Sequence, residues 1–202
     1  MAWLEPVVLR GAHARLEPLS QKHRDGLAEA VQDGELWKLW YTSVPSADGM
    51  RKEIDRRLGL QAAGAMLPWT VFDGDGRIAG MTTYMNVDAP NRRVEIGSTW
   101  YARRVQRSAV NTQCKLLLLT HAFEKLDCIA VEFRTHFFNH QSRRGIERLG
   151  AKLDGILRNH CLSRDGNLRD TCAYSIIASE WPTVRRNLEW KIANWRGFSN
   201  TR

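Results

Sequence analysis

The stretch Val94–Leu126, VEIGSTWYARRVQRSAVNTQCKLLLLTHAFEKL, decides how this chain is read. Its opening, VEIGSTWYA, is rich in β-branched and aromatic residues and predicts a strand. The middle, ARRVQRSAVNT, supplies Arg103, Arg104 and Arg107, followed by small or short polar residues. The end, KLLLLTHAFEKL, is strongly helical. A turn that delivers backbone N–H groups and arginines to a helix N-terminus suits an anion, most often a phosphate. The leading expectation is therefore a phosphate-bearing cofactor.

A chain of 202 residues suits one domain, with or without a small extension, and can bury a proper core. Its hydrophobic share of 43% and charged share of 26% are those of an ordinary globular protein. The net charge of +8 favours anionic partners such as a phosphorylated cofactor, an acidic peptide or RNA, and does not choose among them. The apolar run Leu116–Leu119 is far too short to span a bilayer. The N-terminus, MAWLEPVVLRGAHARLEPL, is broken by Glu5, Pro6 and Arg10 and does not read as a signal peptide. No membrane partner is expected. Cys114, Cys128, Cys161 and Cys172 form no C-x-x-C pair and read as free thiols in a reducing cytoplasm.

Working outward, Ala14–Leu19 predicts a first strand, and Ser20 is a fair N-cap for a helix over Gln21–Gln32. DGELWKLWYTSVPS reads as an aromatic loop and Ala47–Ala63 as a second helix. Pro68–Phe72 and Ile78–Met85 are strands around the turn DGDG, a strong hairpin signal. Beyond the central stretch, Ala130–Thr135 alternates as a strand does. Asn139–Leu149 then places Ser142, Ile146 and Leu149 on one helical face, with Gly150 as the C′ residue. Lys152–His160 and Leu168–Ile177 predict a closing antiparallel pair around SRDGN. Pro182 sits where a last helix could start, with Val184, Leu188, Ile192 and Trp195 at helical spacing. The expected fold is α+β, a sheet with helices packed on it, in two parts: a single domain over residues 1–180 and a helical extension over 181–202.

This order, with its local signatures, resembles the GNAT superfamily of N-acetyltransferases, and within it the Rim-type branch that acetylates ribosomal protein N-termini. The likeness runs from about Arg15 to Ile177. It rests on VEIG before the turn, QRSAVNT at the turn, HAFEKL in the helix and N-x-x-S-x-x-x-I-x-x-L-G-A from Asn139. The resemblance implies a mixed, mostly antiparallel twisted sheet flanked by helices, to which the C-terminal helix would be an addition. It also implies acetyl-CoA as co-substrate, a primary amine as acceptor (a protein N-terminus or a small molecule) and direct transfer between them.

The family's pyrophosphate turn, Q/R-x-x-G-x-G/A, maps onto Gln106, Arg107, Ser108, Ala109, Val110 and Asn111, with Thr112 next. Ala109 and Asn111 replace its glycines. Asn tolerates positive φ, Ala adds only a methyl, and Arg104 and Arg107 could compensate with charge; the competing reading is a solvated basic turn. Glu95 falls where the family often holds a general base, the alternative being a solvent-facing glutamate paired with Arg93 or Arg134. Asn139 matches the family's pantetheine-contacting Asn and is equally a plain helix N-cap. Ser142 matches a hydroxyl near the departing thiolate. It carries more of the hypothesis because Ile146 stands where many relatives have an acidic Tyr.

Trp100 and Tyr101 end the strand whose backbone would hold the pantetheine amides. Trp37, Trp40 and Tyr41 lie in the loop that shapes the acceptor pocket in relatives, core packing being the competing role for Trp37 and Trp40. No metal is expected. His136 and His140 are four apart, but Asn139 starts a helix between them and no carboxylate or thiol cluster accompanies them. No G-x-S-x-G or P-loop pattern is present. A protein of the same fold that binds CoA or RNA without catalysis is the rival reading, against which Glu95 and Ser142 speak. A drug or polyamine acetyltransferase is a second rival, and the positive net charge disfavours a polycationic acceptor. Nucleic acid is not the expected partner. The C-terminal helix is expected to pack on its own domain or on a second copy in a homodimer.

Overall fold

The computed structural model describes residues 3–163 and 165–195. In chain order its elements are β1 (Leu9–Arg10), β2 (Ala14–Pro18), α1 (Arg24–Gln32), α2 (Met50–Ala62), β3 (Met66–Asp73), β4 (Ile78–Asp88), β5 (Arg93–Tyr101), α3 (Ala109–Glu124), β6 (Ala130–His136), α4 (His140–Leu149), β7 (Lys152–Leu162), β8 (Leu168–Ile177) and α5 (Trp181–Ala193). The strands form one eight-stranded sheet in the order β1-β2-β3-β4-β5-β6-β8-β7. Every neighbouring pair is antiparallel except β5 and β6, which α3 connects in parallel.

The expected α+β order stands, with β1 added at one edge, where two residues carry no readable pattern. The helix expected from Gln21 begins as a 3-10 turn, Gln21–His23, because Ser20 Oγ accepts from the amide of Lys22; α1 proper starts at Arg24. α2 is shorter than expected, at Met50–Ala62. The β3–β4 hairpin closes at DGDG through Asp73 N to Arg77 O at 2.9 Å, with Gly76 at φ +78° in the conformation glycine adopts freely. Gly150, at φ +107°, ends α4 as expected. Arg164 of the SRDGN turn and residues 196–202 of the expected extension lie outside the described residues.

Alternation along the strands sorts side chains onto two faces. Tyr84, opposite Ile96, points to α3, where its hydroxyl donates to the carbonyl of Leu118. Thr83, opposite Gly97, points to α2, where Arg57 donates to its hydroxyl. The same two faces carry the core: Leu27, Met50, Ile54 and Met81 on one, Val94, Ile96, Leu118 and Phe133 on the other, all buried.

α3 starts earlier than its leucine run suggests. Ser108 caps it, with Oγ accepting from Val110 N at 3.2 Å and donating to Val105 O at 2.6 Å. This helix is apolar over most of its circumference because the sheet covers one side and α5 the other. Trp181 of α5 stacks on Phe123 at 5.2 Å and donates its indole N–H to Glu124, while Val184 and Leu188 are buried. Trp195 is half-buried, 5.4 Å from the Arg148 guanidinium. The terminal helix therefore packs on its own chain. Among the described residues no helix is long and apolar enough to cross a membrane.

Leu188 is wholly enclosed, so Leu188→Ala should cost roughly 2–5 kcal/mol of stability. Denaturant melts of the two proteins measure it. A loss below about 0.5 kcal/mol would mean that α5 is a passive attachment.

Candidate active site

The pairing of β5 with β6 is brief. It covers Arg93–Ala130, Val94–Val131 and Glu95–Glu132. β5 then runs on to Tyr101 beside β4, and β6 to His136 beside β8. The two strands part, and the backbone of each presents N–H and C=O groups across the opening. The 103–108 turn and the start of α4 lie just beyond the open end.

Glu95 sits at the last paired position. It is 5% exposed, so the solvent-facing alternative fails. Asn86 Nδ2 donates to Glu95 Oε2 at 2.6 Å, and Arg134 Nε lies 3.7 Å from the same oxygen while bonding Glu132 more closely. Gly97 shares the face. A Cβ there would stand 2.8 Å from Glu95 Oε1 and 2.6 Å from Met85 Sδ, so the missing side chain makes room for the carboxylate. Burial raises the Glu95 carboxyl above the usual glutamate range, and Glu132 adds to this, against the opposing hydrogen bond of Asn86 and the charges of Arg134 and Arg169. A carboxylate poised this way is a stronger proton acceptor than a free glutamate.

Directly beyond Gly97 the strand bulges. Met81 faces Trp100 and Thr83 faces Gly97, so Ser98 and Thr99 oppose the single Thr82, with Ser98 at φ +47°. The bulge shifts the alternation: Trp100 turns to the α2 side, and Tyr101 to the α3 side beside Cys114. Burial pushes the Cys114 thiol up to about 12, and draws the neighbouring Lys115 amine down to about 8. Trp100 is buried, and its indole N–H has no hydrogen-bond partner among the described residues.

In the turn, the left-handed residue is Arg107, at φ +57°. Ala109 and Asn111 lie inside the first turn of α3, so the positive φ expected for Asn111 is absent and neither position needs glycine. Gln106 Nε2 donates to Tyr101 O at 3.0 Å, bracing the turn against β5. Arg104 does not serve as a free cation. Its guanidinium pairs with the buried Asp73 and donates to Ile78 O, and its amide donates to Asp33. Arg107 is exposed, and no ion pair holds it among the described residues. With Ser108 bonding the amide of Val110, the other helical first-turn N–H groups that lack an intrahelical partner, those of Ala109 and Asn111, point out along the helix axis. Thr112 is buried, and Arg148 donates to its hydroxyl at 3.2 Å.

Asn139 is the N-cap of α4, its side chain accepting from Ser142 N at 3.0 Å, and Ser142 is half-buried in the first turn. Core packing does not describe Trp40, which is 59% exposed. It stands edge-on to Tyr41 at 5.6 Å and His136 at 5.0 Å, next to the exposed Phe138. Loop aromatics and the end of β6 thus make one patch. Trp37 does pack on the core and lines a separate surface hollow with Glu35, Ser46 and Asp48. Sequence reading missed Asn86 and Gly97. Asn86 takes φ +46° at an irregularity near the end of β4, a conformation Asn tolerates and no pattern in its own segment announces.

Unpaired strand edges, a buried indole N–H without a partner and a helix N-terminus with an arginine beside it suit a ligand of amides and phosphates. The comparisons agree with this. Residues 13–152 match the family model described as Acetyltransferase (GNAT) domain, so the chain belongs to the GNAT acetyltransferases. It is an acetyl-CoA-dependent N-acetyltransferase, acting on an amine. It is 29% identical over 175 residues, 84% of this chain and 93% of the other, to "Putative ribosomal N-acetyltransferase YdaF" of Bacillus subtilis (strain 168). A GCN5-related N-acetyltransferase from Brucella melitensis superposes with a TM-score of 0.83 at 29% identity, covering 94% of this chain and 86% of that one. Mycobacterium smegmatis RimJ in complex with CoA-disulfide shares the fold, with a TM-score of 0.77 at 19% identity over 91% and 93% of the chains.

The raised Glu95 carboxyl has a stability consequence. The folded state holds its proton to higher pH than the unfolded chain does, so stability falls as pH rises from the ordinary glutamate range through the folded value. Above the folded value the whole penalty is present. Glu95→Gln should therefore melt at least as high as the parent at pH 7 and lose that advantage near pH ~4. A Gln variant clearly less stable at pH 7 would contradict the net effect of burial.

Proposed function

We propose that the chain acetylates the α-amine of a protein N-terminus, with Glu95 as general base and Ser142 beside the leaving sulfur. The observation that carries the reading is the buried Glu95 carboxylate, held by Asn86 where β5 and β6 part. An α-amine has a pKa of about 7.7–8.0, against about 10.4 for lysine, so much less work is needed to free its lone pair at neutral pH. A carboxylate with a raised pKa matches that task better than the deprotonation of a lysine or polyamine. The name of the Bacillus relative points to the same class of acceptor.

Acetyl-CoA supplies an activated acetyl group as a thioester. Gln106, Arg107, Ser108, Ala109, Val110, Asn111 and Thr112 hold its pyrophosphate by first-turn amides and the Arg107 charge. The backbone at Trp100 and Tyr101, with Asn139, holds the amide-bearing arm. Trp40 and Tyr41 border the acceptor, with Trp37 further out. Glu95 removes one proton from the acceptor ammonium. The freed lone pair forms the C–N bond while the C–S bond breaks, and a second proton leaves the nitrogen as the amide forms, passing through water to the departing sulfur. The sulfur departs as a thiolate of pKa near ~8.5, accepts a hydrogen bond from Ser142 and ends as a thiol. Two substrates held together account for most of the rate, through orientation and electrostatic help. A homodimer and a cytoplasmic setting accord with this reading.

Acetyl-CoA at about 100 times its dissociation constant should stabilise the fold by roughly 2.7 kcal/mol. At about 2–4 °C per kcal/mol this raises the melting point by roughly 5–11 °C; no shift would remove the cofactor assignment. Arg107→Ala should weaken that binding by about 1.5–3 kcal/mol with little effect on folding.

Glu95→Gln should keep acetyl-CoA binding and lose about 10²–10⁴-fold in turnover, less at high pH. Ser142→Ala should cost less, since water can protonate the thiolate. The substrate class is tested with peptides bearing a free N-terminus or a blocked one plus lysine, followed by CoA release. Equal rates on both would overturn the N-terminal assignment.

A further inference from the structure

Two buried cations reach the same short piece of β5 from opposite faces of the sheet. Arg57, on α2, is 1% exposed. It donates to Thr83 Oγ1 at 2.7 Å and to the Ser98 carbonyl at 3.1 Å, and pairs with Glu53 Oε1 at 2.7 Å. Lys115, on α3, is 6% exposed and donates to Thr99 Oγ1 at 3.2 Å; that oxygen is also 2.8 Å from Thr82 Oγ1. Ser98 and Thr99 are the two residues of the bulge.

Burying a guanidinium and an ammonium is unfavourable, and apolar side chains of similar volume commonly serve a core as well or better. What these two groups share is the Ser98–Thr99 peptide. That peptide is planar and trans, so the Thr99 N–H points opposite to the Ser98 carbonyl. Arg57 draws the carbonyl toward α2, which turns the N–H away from α2. Lys115 holds the side chain of Thr99 on the α3 side. A non-glycine residue at φ +47° is sterically disfavoured, and the guanidinium offsets that preference by binding the carbonyl the twist exposes. The result is a backbone donor of fixed direction, four residues past Glu95, where β5 has left β6.

We propose that Arg57 and Lys115 are positioning residues for acetyl transfer: from opposite faces they lock the Ser98–Thr99 peptide so that its N–H meets the thioester oxygen as charge builds there. This rests on the acetyl-transfer reading above. Neither side chain touches a reacting atom. Both act through the backbone, where a pre-set donor needs no reorganisation when charge develops.

The test compares the parent with Arg57→Met, Lys115→Met and the double variant Arg57→Met/Ser98→Gly. Three quantities are read: the Thr99 amide signal and its hydrogen exchange in ¹⁵N-threonine-labelled protein without ligand, the acetyl-CoA dissociation constant, and kcat. Losing one oxyanion donor costs about 10²–10³-fold, so a misdirected one should lower kcat by about tenfold or more in each single variant. The Thr99 amide should move and exchange faster, and acetyl-CoA affinity should hold.

Adding Ser98→Gly should restore kcat and the amide signal, because glycine adopts the left-handed conformation unaided. Should Arg57→Met not fold, Arg57→Lys reads the same quantities, since an ammonium keeps the charge but cannot fork between Thr83 and Ser98. An unmoved Thr99 amide with parental kcat overturns the proposal. So does a kcat that falls only with melting temperature and is not rescued by Ser98→Gly. A parent that neither binds nor turns over acetyl-CoA overturns the acetyl-transfer reading instead, which the ligand-free amide measurement leaves untouched.

Discussion

Two strands that must touch at one end and part at the other govern this molecule. β5 and β6 are parallel and bonded at Arg93–Glu95 and Ala130–Glu132, after which each keeps only its outer partner. A parallel pair needs a crossover, and α3 is that crossover. Its N-terminus therefore arrives at the open end of the gap, bringing Gln106, Arg107 and the first-turn amides with it. The same parting leaves Glu95 at the closed end, out of water yet next to the place where backbone groups are unpaired. Basic turn, polar slot and buried carboxylate are three consequences of one interrupted ladder.

Polarity inside the site is distributed with care for charge. Glu95 and Glu132 lie in register on adjacent strands, and two like charges so placed would repel. Arg134 stands between them, closer to Glu132, so that Glu132 is paired while Glu95 keeps its raised affinity for a proton. Asn86 supplies a neutral hydrogen bond that orients Glu95 without adding another charge. Arg104 shows the opposite economy. Placed in the basic turn by sequence, it is spent on Asp73 and the α1 end, and so builds the turn rather than charging it.

The strand–turn–helix at the centre was legible because its signals are local: β-branched residues, a serine cap and a leucine-rich helix need no distant partner to be understood. The roles proposed for Glu95, Asn139 and the turn came from likeness to family motifs, which a single sequence carries. What escaped was long-range. Asn86 reaches Glu95 only because a bulge turns it, and nothing within its own segment shows that. Arg57 occupies the stripe of Met50 and Ile54, where a charge reads as an error in a helix face until the bulge it serves is seen. Trp40 was open to a core role because an aromatic loop residue has the same composition whether it faces inward or across to His136.

The interrupted ladder also has a mechanical side. An unbroken sheet is stiff across its strands because each is bonded on both edges, whereas here β6, β8, β7 and α4 form a leaf joined to the rest of the sheet along three residue pairs. Resistance to spreading must come from the helical layer. α3 leans on β1, β2 and β6, and α5 presses on α3 and α4 together. Lys191 of α5 grips the Arg148 carbonyl at 2.5 Å, while the Arg148 side chain reaches back to Thr112. The last helix is thus the back of a clasp. It ties the second leaf to α3 through contacts that lie outside the sheet.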